Sequence, residues 1–347
     1  METSHQFRRW KKEKPPSRIL AVRFQALGDT VITLPYLYNL KTKYPAVRID
    51  LLTRKEVAAI PSHLPIFDRV IAIGGKRNVK LQILSLMSVL PFLLFRRYEL
   101  VVDLQHNKIS RLVRKLLFAS AWSEFDNTSP VSAGIRTQNT INISFNWNVR
   151  LQPIEGFNTD EPLALLRRHG FAPGNKLVVL NPAGYCASRN WPIENYISFA
   201  TLWLAEFPKT QFVLLLLPHL EEKAKRIASA LGNACIDLTG NADQWDAFGI
   251  ISLSHLIVSE DSGLMHMSWV QGIPTIALFS SSRKEWAAPQ GGGSYCFDSS
   301  DLPCGPCQLE VCKFGDNRCL TRITPERVMS KCRELIQIKS TDLIVSV

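Results

Sequence analysis

The sequence predicts an α/β protein built from two Rossmann-like domains, each with a doubly wound parallel sheet. The chain has 347 residues, enough for two domains that each bury a hydrophobic core. A strand–helix–strand pattern begins at Arg18, and a second one begins at Leu177. Residues 145–175 carry scattered Pro and Gly and separate the two patterns. The two halves therefore look like duplicated copies of one unit.

Domain bounds follow from these patterns. The basic N-terminal segment ends in two prolines and is predicted to be a disordered tail that either contacts anionic lipid or is simply solvated. A C-terminal helix follows the second domain. The predicted segments are a tail at 1–17, a first domain at 18–158, a second domain at 159–325, and a helix and tail at 326–347.

The overall charge predicts anionic partners. The formal net charge is +11 and the pI is about 9.3, which suits nucleic acid, an anionic membrane surface or an acidic substrate. Basic residues are scattered and no nucleic-acid module is evident, so no nucleic acid is expected. The sequence has neither a spanning apolar segment nor a signal-peptide core, so we expect a cytoplasmic protein.

The first domain opens with a strand at 18–24, a turn, a helix at 30–44 and a strand at 47–52. Asp29 lies in the turn, where it can cap the helix or point its carboxylate at a ligand. Arg23 lies in the same junction. The absence of G-x-G-x-x-G weakens a dehydrogenase interpretation.

Two further features stand in the first domain. Residues 81–95 are almost wholly apolar, too short to span a bilayer, and interrupted by Pro91. They form either a buried helix or an interfacial helix that docks the protein beside a lipid-linked molecule. A strand at 99–104 is followed by three polar residues that are candidate ligand contacts: Gln105, His106 and Asn107.

The second domain places polar groups after three successive strands. Ser188 and Arg189 follow the strand at 177–180, and an Arg can hold a diphosphate with two hydrogen bonds or form a surface ion pair. Acidic residues follow the strand at 211–217, where they can bind ribose hydroxyls or complement a helix dipole. The remaining candidates in these turns are Glu221, Glu222, Gly240 and Asn241.

The stretch 250–279 reads as strand, tight turn, helix and strand. Ligands bind outside the carboxyl ends of parallel strands, and a helix start favours phosphate. Asp261 can hold a sugar hydroxyl or act as an N-cap, and His266 is either a ligand contact or a core histidine. Ser262 and Gly263 would form the helix start.

Four cysteines fall within sixteen residues near the end of the second domain, in the pattern C-x2-C-x4-C-x6-C. They are the right number for a tetrahedral Zn or Fe site, which would be structural. The alternatives are free thiols or a facultative disulfide. The residues are Cys304, Cys307, Cys312 and Cys319.

Four segments together resemble glycosyltransferase family 9, the ADP-heptose:lipopolysaccharide heptosyltransferases and their relatives. The resemblance covers residues 18–328 and falls in the family's order and spacing. The segments are R-I-L-A-V-R-F-Q-A-L-G-D, E-L-V-V-D-L-Q, N-P-A-G-Y-C-A-S-R-N-W-P and E-D-S-G-L-M-H, and the cysteine cluster resembles some family members as well.

This resemblance implies a GT-B fold, two Rossmann-like domains with parallel sheets facing across a cleft. The second domain would bind the nucleotide sugar without a catalytic metal, and the first would bind the acceptor. Asp29 would be the general base of an inverting transfer. The implied donor contacts are Ser188, Arg189, Glu221, Glu222, Gly240, Asn241, Asp261, Ser262, Gly263 and His266, and the acceptor contacts are Arg23, Gln105, His106 and Asn107.

The resemblance implies transfer of a heptose or related sugar from ADP-heptose to the inner core of lipopolysaccharide, or to a similar anionic lipid-linked glycan at the cytoplasmic face of the inner membrane. Arg189 stands where the family has Lys, and Phe279-Ser280-Ser281 replaces a usual Gly, so another nucleotide-sugar donor stays open. The alternatives are a sugar-nucleotide epimerase and a non-enzymatic binder of membranes or nucleic acid.

Overall fold

The computed structural model describes residues 6–76, 78–184 and 186–345, with side chains described as far as residue 336. The chain divides into two compact units, the first ending at Phe157 and the second beginning at Asn158. This division lies one residue from the predicted domain boundary.

The first unit is built on a six-stranded sheet with the order β1-β6-β5-β2-β3-β4. All neighbouring strands are parallel except β1, which pairs antiparallel with β6. Its strands are β1 (Phe7–Arg8), β2 (Arg18–Val22), β3 (Arg48–Arg54), β4 (Arg69–Ile73), β5 (Leu100–Asp103) and β6 (Ala121–Glu124).

Helices cover this sheet, so the central strands are buried on both sides and are mostly apolar. A 3-10 turn spans Lys55–Val57. The helices are α1 (Leu27–Lys43), α2 (Ala59–His63), α3 (Val79–Phe95), α4 (Lys108–Leu116) and α5 (Ala133–Ser144).

The N-terminal segment is ordered where the structure describes it, so the predicted disordered tail is wrong for residues 6–17. Phe7 and Arg8 form β1 on the edge strand β6. Trp10 is only 7% exposed, and its indole N–H donates to the Lys14 carbonyl at 2.8 Å. Burying one tryptophan offsets the ordering of several charged residues, and Trp10 was the signal that could have indicated this.

The second unit has a fully parallel sheet with the order β12-β11-β10-β7-β8-β9. Its strands are β7 (Lys176–Asn181), β8 (Thr210–Leu214), β9 (Cys235–Asp237), β10 (Leu256–Glu260), β11 (Thr275–Leu278) and β12 (Ser294–Phe297). Its helices are α6 (Asp160–Arg168), α7 (Ile193–Glu206), α8 (Glu221–Leu231), α9 (Gln244–Ser252), α10 (Gly263–Trp269), α11 (Lys284–Ala287), α12 (Arg318–Thr321) and α13 (Pro325–Val345), with 3-10 turns at Ala187–Arg189, Pro218–Leu220 and Gly232–Ala234.

Both units share one strand order. Counted within each unit, the parallel strands run 3-2-1-4-5, and the second unit adds a sixth, which is the Rossmann arrangement. The order reverses between β2 and β5 in the first unit and between β7 and β10 in the second. Ligands of such sheets bind beyond the strand ends at this reversal, so these two points are where functional groups are expected.

Helix α3 matches neither a wholly buried nor a wholly exposed helix. Its buried side chains are Gln82, Leu86 and Leu93, which recur along one stripe. Leu84 and Phe95 on the opposite face are 68% and 83% exposed. Within the described part of the chain, no helix is both long enough and apolar enough to cross a bilayer.

In the second unit, α6 packs closely against α9, and a substitution at the contact tests this packing. A Cβ added at Gly249 would clash with the Pro162 ring, so Gly249→Ala should lower the free energy of unfolding by about 1–3 kcal/mol. The control is Gly292→Ala, where a Cβ meets nothing within 4 Å. Chemical denaturation of both variants measures the difference, and equal stabilities would contradict the packing.

Candidate functional site

The first unit contains an open cavity of about 840 Å³ beyond the ends of β2 and β5, at the reversal of strand order. Its wall combines charged and polar groups from four segments of the chain. It is lined by Phe24, Gln25, Ala26, Leu27, Asp29, Arg54, Val57, Val79, Gln82, Gln105, Asn107, Lys108 and Ile109.

Asp29 lines this cavity at the start of α1. Its Oδ2 accepts the Ala26 N–H at 3.0 Å and pairs with the Arg23 guanidinium at 2.9 Å. The Arg23 side chain is 7% exposed, whereas that of Asp29 is 43% exposed. The buried arginine therefore fixes a carboxylate that caps the start of α1 and remains partly open to solvent.

The three predicted polar residues after β5 fall into different environments. Gln105 accepts the N–H groups of Phe24 and Gln25 through Oε1 at 2.8 and 3.0 Å. Asn107 caps α4, with Oδ1 accepting two backbone N–H groups. His106 contacts the Phe125 carbonyl through Nδ1 at 2.6 Å and is not among the cavity's lining residues. The structure brings Gln105 and Asn107 to the cavity and leaves His106 at its edge.

The sequence analysis missed three cationic residues near Asp29. Arg54 and Lys108 line the cavity. Arg136 stacks on Phe125 with 4.9 Å to the ring centroid, and its Nε is buried without a partner among the described residues. Burial lowers the pKa of Arg136, and the charge of Asp29 opposes this shift. Lys108 directly follows the predicted polar loop at 105–107, whereas Arg54 and Arg136 come from separate elements that tertiary folding brings near Asp29.

In the second unit, the reversal of strand order joins Arg189 and Asp261. Arg189 follows β7 and Asp261 follows β10, and their side chains lie 3.4 Å apart. They are 25% and 15% exposed, and the Arg189 Nε is buried without a partner among the described residues. This N–O distance is longer than the roughly 2.7–2.9 Å of a charge-assisted hydrogen bond, so the two groups are only loosely paired.

Three residues that were predicted to contact the nucleotide-sugar donor lie at or near the start of α10. Ser262 is the N-cap residue, and its Oγ accepts from the Asn181 amide at 2.6 Å. Gly263 is the first residue of this seven-residue helix. His266 is 6% exposed, and its Nδ1 accepts the Trp269 indole N–H at 3.1 Å. Since an indole only donates, His266 carries its ring proton on Nε2 when neutral.

Ser188 is less accessible than the sequence analysis expected. It is 2% exposed, and its hydroxyl donates to the Leu309 carbonyl at 2.6 Å and lies 3.0 Å from the Ser281 hydroxyl. The hydroxyl therefore ties the loop after β7 to the cysteine-containing loop. A phosphate contact from Ser188 would require these hydrogen bonds to rearrange.

The other residues that were predicted to contact the nucleotide-sugar donor lie in exposed turns beyond β8 and β9. Glu221 pairs with Lys225 at 2.9 Å on α8, an exposed i,i+4 pair. Glu222 is exposed in the same first turn. Gly240 has a φ of +73°, a backbone conformation that residues with a Cβ rarely adopt. Asn241 follows it. All four residues follow the carboxyl ends of β8 and β9.

A buried carboxyl group that was not predicted from the sequence holds the loop after β7. Glu260 is 0% exposed and accepts the backbone N–H groups of Trp191, at 2.6 Å, and of Gly184. A Cβ at Gly184 would collide with this carboxylate and with the Arg189 carbonyl, so the loop requires glycine there. Lys223 donates to Pro182 and Asn190 at the two ends of the same loop.

The four clustered cysteines line one small cavity of about 20 Å³. Among the residues that the structure describes, no three His, Cys, Asp or Glu side chains are placed to hold a metal ion. All eight cysteines are described, and all carry free thiols. Burial raises the pKa of Cys319, whereas the Phe314 and Asn317 N–H groups lower that of Cys312. The structure therefore does not support the suggested metal site.

The environment of Glu260 predicts a pH dependence. Burial raises the pKa of Glu260 from 4.5 to about 8, although Lys223 and the two N–H donors oppose this shift. The stabilisation linked to this raised pKa is fully present below about pH 4.5 and is lost as pH rises through about 8.

We therefore expect the melting temperature of the wild type to fall relative to that of Glu260→Gln between these pH values. Exposed Glu194, which pairs with Arg226, provides the control variant Glu194→Gln. Melting curves across the pH range measure the effect, and a wild-type-to-Gln difference independent of pH would contradict the assignment.

Comparison with known proteins adds an independent result. The family model described as glycosyltransferase family 9 (heptosyltransferase) matches residues 139–317, slightly more than half of the chain. The chain is similar to lipopolysaccharide heptosyltransferase 1 of Pseudomonas aeruginosa, with 23% identity over 93% of this chain and 99% of the relative.

Two solved structures are also similar. A family 9 glycosyl transferase from Veillonella parvula has a TM-score of 0.79 and 18% identity, covering 92% of this chain and 97% of its own. The E. coli ADP-heptose lps heptosyltransferase II has a TM-score of 0.72 and 18% identity, covering 93% and 99%. These likenesses confirm the predicted fold class, the GT-B type with two Rossmann-like domains. On the family match, the chain belongs to glycosyltransferase family 9.

Proposed function

We propose that this transferase moves a heptose from ADP-heptose to the inner core of lipopolysaccharide or to a similar anionic glycan. The Arg189–Asp261 pair at the strand-order reversal of the second unit carries this proposal, because both residues lie in family motifs. The names of the relatives support the chemistry: one acts on lipopolysaccharide and another is an ADP-heptose enzyme.

On the donor side, Arg189 would leave Asp261 and hold the diphosphate, while Asp261 would accept hydrogen bonds from sugar hydroxyls. Arg189 is mostly buried, so its charge acts through less water than a surface charge and stabilises a leaving diphosphate more strongly. Ser262, Gly263 and His266 would provide further contacts to the donor. The turns with Glu221, Glu222, Gly240 and Asn241 would hold the nucleoside.

On the acceptor side, the cavity of the first unit would take the glycan. Arg54 and Lys108 line it and would pair with carboxylate or phosphate groups of the acceptor. Gln105 and Asn107 lie in the same wall. Arg23 would keep Asp29 in place, and Asp29 is sufficiently exposed for an acceptor hydroxyl to reach it.

In the proposed step, Asp29 takes the proton of the acceptor hydroxyl as that oxygen attacks the anomeric carbon. The bond from this carbon to the diphosphate oxygen breaks, and ADP leaves with the bonding electrons. One displacement inverts the anomeric configuration. Asp29 ends protonated and the new glycosidic bond replaces the old one, so the step balances without a redox partner.

A second candidate is transfer from another nucleotide sugar. It is favoured by the departures from the family pattern. Arg189 replaces the usual Lys, and Ser280 and Ser281, which replace the usual Gly region, are 1% and 2% exposed. A guanidinium holds a diphosphate through a planar pair of hydrogen bonds where an ammonium acts as a point charge.

Because the acceptor class is lipid-linked, we also propose that the protein works in the cytoplasm, at the inner face of the inner membrane. The net charge of +11 supports contact with an anionic surface.

Nucleotide titration tests the donor. We expect calorimetry to show ADP binding more tightly than UDP, GDP or CDP, because the relatives name an ADP sugar. Asp261→Ala removes the carboxylate beside Arg189 and should abolish tight ADP binding, while Asp29→Ala should leave ADP affinity unaltered. Preference for a different nucleotide would contradict the donor, and absence of all nucleotide binding would contradict the proposed function.

Replacing the proposed base tests the acceptor side. Asp29→Asn keeps the shape of the side chain and should lower kcat by about 10² to 10⁴-fold, with ADP affinity unchanged. Asp160→Asn, an exposed position on α6, is the control and should leave kcat unchanged. An Asp29→Asn enzyme with wild-type kcat would exclude Asp29 as the base.

A further inference from the structure

Helix α3 exposes large apolar side chains on the face that points away from the core. Its core stripe is formed by Gln82, Leu86 and Leu93, all at most 7% exposed. Leu84, Met87 and Phe95 lie on the opposite face and are 68%, 53% and 83% exposed. Leu81 extends this face at 52%. A surface helix of a globular protein normally places polar residues there, so this apolar face requires a partner.

Helix α4 belongs to the same layer and supplies positive charge. Leu86 and Leu93 of α3 and Ile109 and Val113 of α4 join one core cluster on one side of the sheet. The exposed residues of α4 are basic: Lys108, Arg111 and Lys115. Phe118, just beyond α4, is 86% exposed. Neither α3 nor α4 contains an acidic residue.

Further basic residues surround the apolar face. Exposed Lys76 and Lys80 lie at the start of α3, and Arg97 follows its end. The guanidinium of Arg69, on β4, lies 5.5 Å from the Phe92 ring. An apolar strip bordered by cations matches the interface of an anionic lipid bilayer, where acyl chains meet negative headgroups.

Two of the three carboxylates next to α3 pair with arginine. Asp50 is buried and contacts Arg96 at 2.9 Å, and Glu56 pairs with Arg54 at 3.0 Å. Glu99 accepts the Ser17 N–H at 2.6 Å and keeps its negative charge. The exposed basic residues of α3 and α4 and the loops beside them outnumber this one charge.

Both helices begin at the cavity that contains Asp29. Val79 and Gln82 from the first turn of α3 line it, as do Lys108 and Ile109 from the first turn of α4. Asn78 fixes the start of α3, because its Oδ1 accepts the Lys80 and Leu81 N–H groups at 3.0 and 3.2 Å. A bilayer seated on this layer would therefore adjoin the cavity.

We propose that the outer faces of α3 and α4, here called the α3–α4 face, dock the protein on an anionic phospholipid bilayer. This docking rests on the proposed function, since it would let a lipid-linked acceptor stay anchored in the bilayer while its sugar enters the cavity. The α3–α4 face would lie in the headgroup region, with the side chains of Leu84, Met87 and Phe95 among the acyl chains.

Vesicle sedimentation of the full chain tests this proposal. The probes are vesicles of equimolar phosphatidylglycerol and phosphatidylethanolamine, with pure phosphatidylcholine as the neutral comparison. We expect binding to the anionic vesicles that weakens with added salt. Leu84→Ser and Phe95→Ser should each weaken binding by roughly tenfold, and Lys115→Gln by about fivefold.

Matched controls lie outside the α3–α4 face. Ile135, 43% exposed on α5, gives Ile135→Ser, and exposed Lys209 of the second unit gives Lys209→Gln. Both should bind like the wild type. Absence of wild-type binding, or equal losses in variants and controls, would overturn the proposal. So would light scattering that shows a dimer broken by Leu84→Ser, because the partner would then be a second copy.

ADP titration of the same variants separates this proposal from the proposed function. Leu84→Ser and Phe95→Ser with weakened vesicle binding and unaltered ADP affinity would support docking as a distinct property. If the wild type binds anionic vesicles through the α3–α4 face but binds no nucleotide, the docking surface stands and the proposed transfer fails.

Discussion

The reversal of strand order is the constraint on which the rest of the structure depends. In each unit the connections leave the sheet in opposite directions at this point, between β2 and β5 and between β7 and β10, so no connection covers the strand ends there. Arg23 and Asp29 occupy this position in the first unit. Arg189 and Asp261 occupy it in the second. Polar groups can remain open to ligands there without disturbing either core.

Both units stabilise this open edge in the same way. In each, a side chain at the end of one strand accepts backbone N–H groups from the loop after its neighbour. Gln105, after β5, holds the loop after β2, and Glu260, at the end of β10, holds the loop after β7. The neutral Gln105 amide lies beside the open cavity. The Glu260 carboxyl is fully buried, and the positive charge of Lys223 partly offsets the rise that burial causes in its pKa. In both units, these side-chain hydrogen bonds fix the loops that carry Asp29 and Arg189.

The sequence predicted the features that depend on local pattern. Strand ends, helix starts and the residues beside them follow from periodicity and turn chemistry, so Asp29, Arg189 and Asp261 could be placed at the sheet edges in advance. Contacts made by tertiary packing were missed. The charge of Asp29 acts on Arg136 of a distant helix, and Glu260, the last residue of β10, holds the loop after β7. Ser188 was expected to be open, but the loop with Leu309 covers it.

Amide hydrogen exchange can show whether the second unit binds the donor and the first unit the acceptor. With ADP added, we expect slower exchange in residues 183–191, 218–222, 239–241 and 260–266, and unchanged exchange in residues 24–29 and 105–109. An anionic acceptor glycan should give the reverse pattern. Protection by ADP at residues 24–29, with none at residues 183–191 and 260–266, would contradict the assignment of the donor to the second unit.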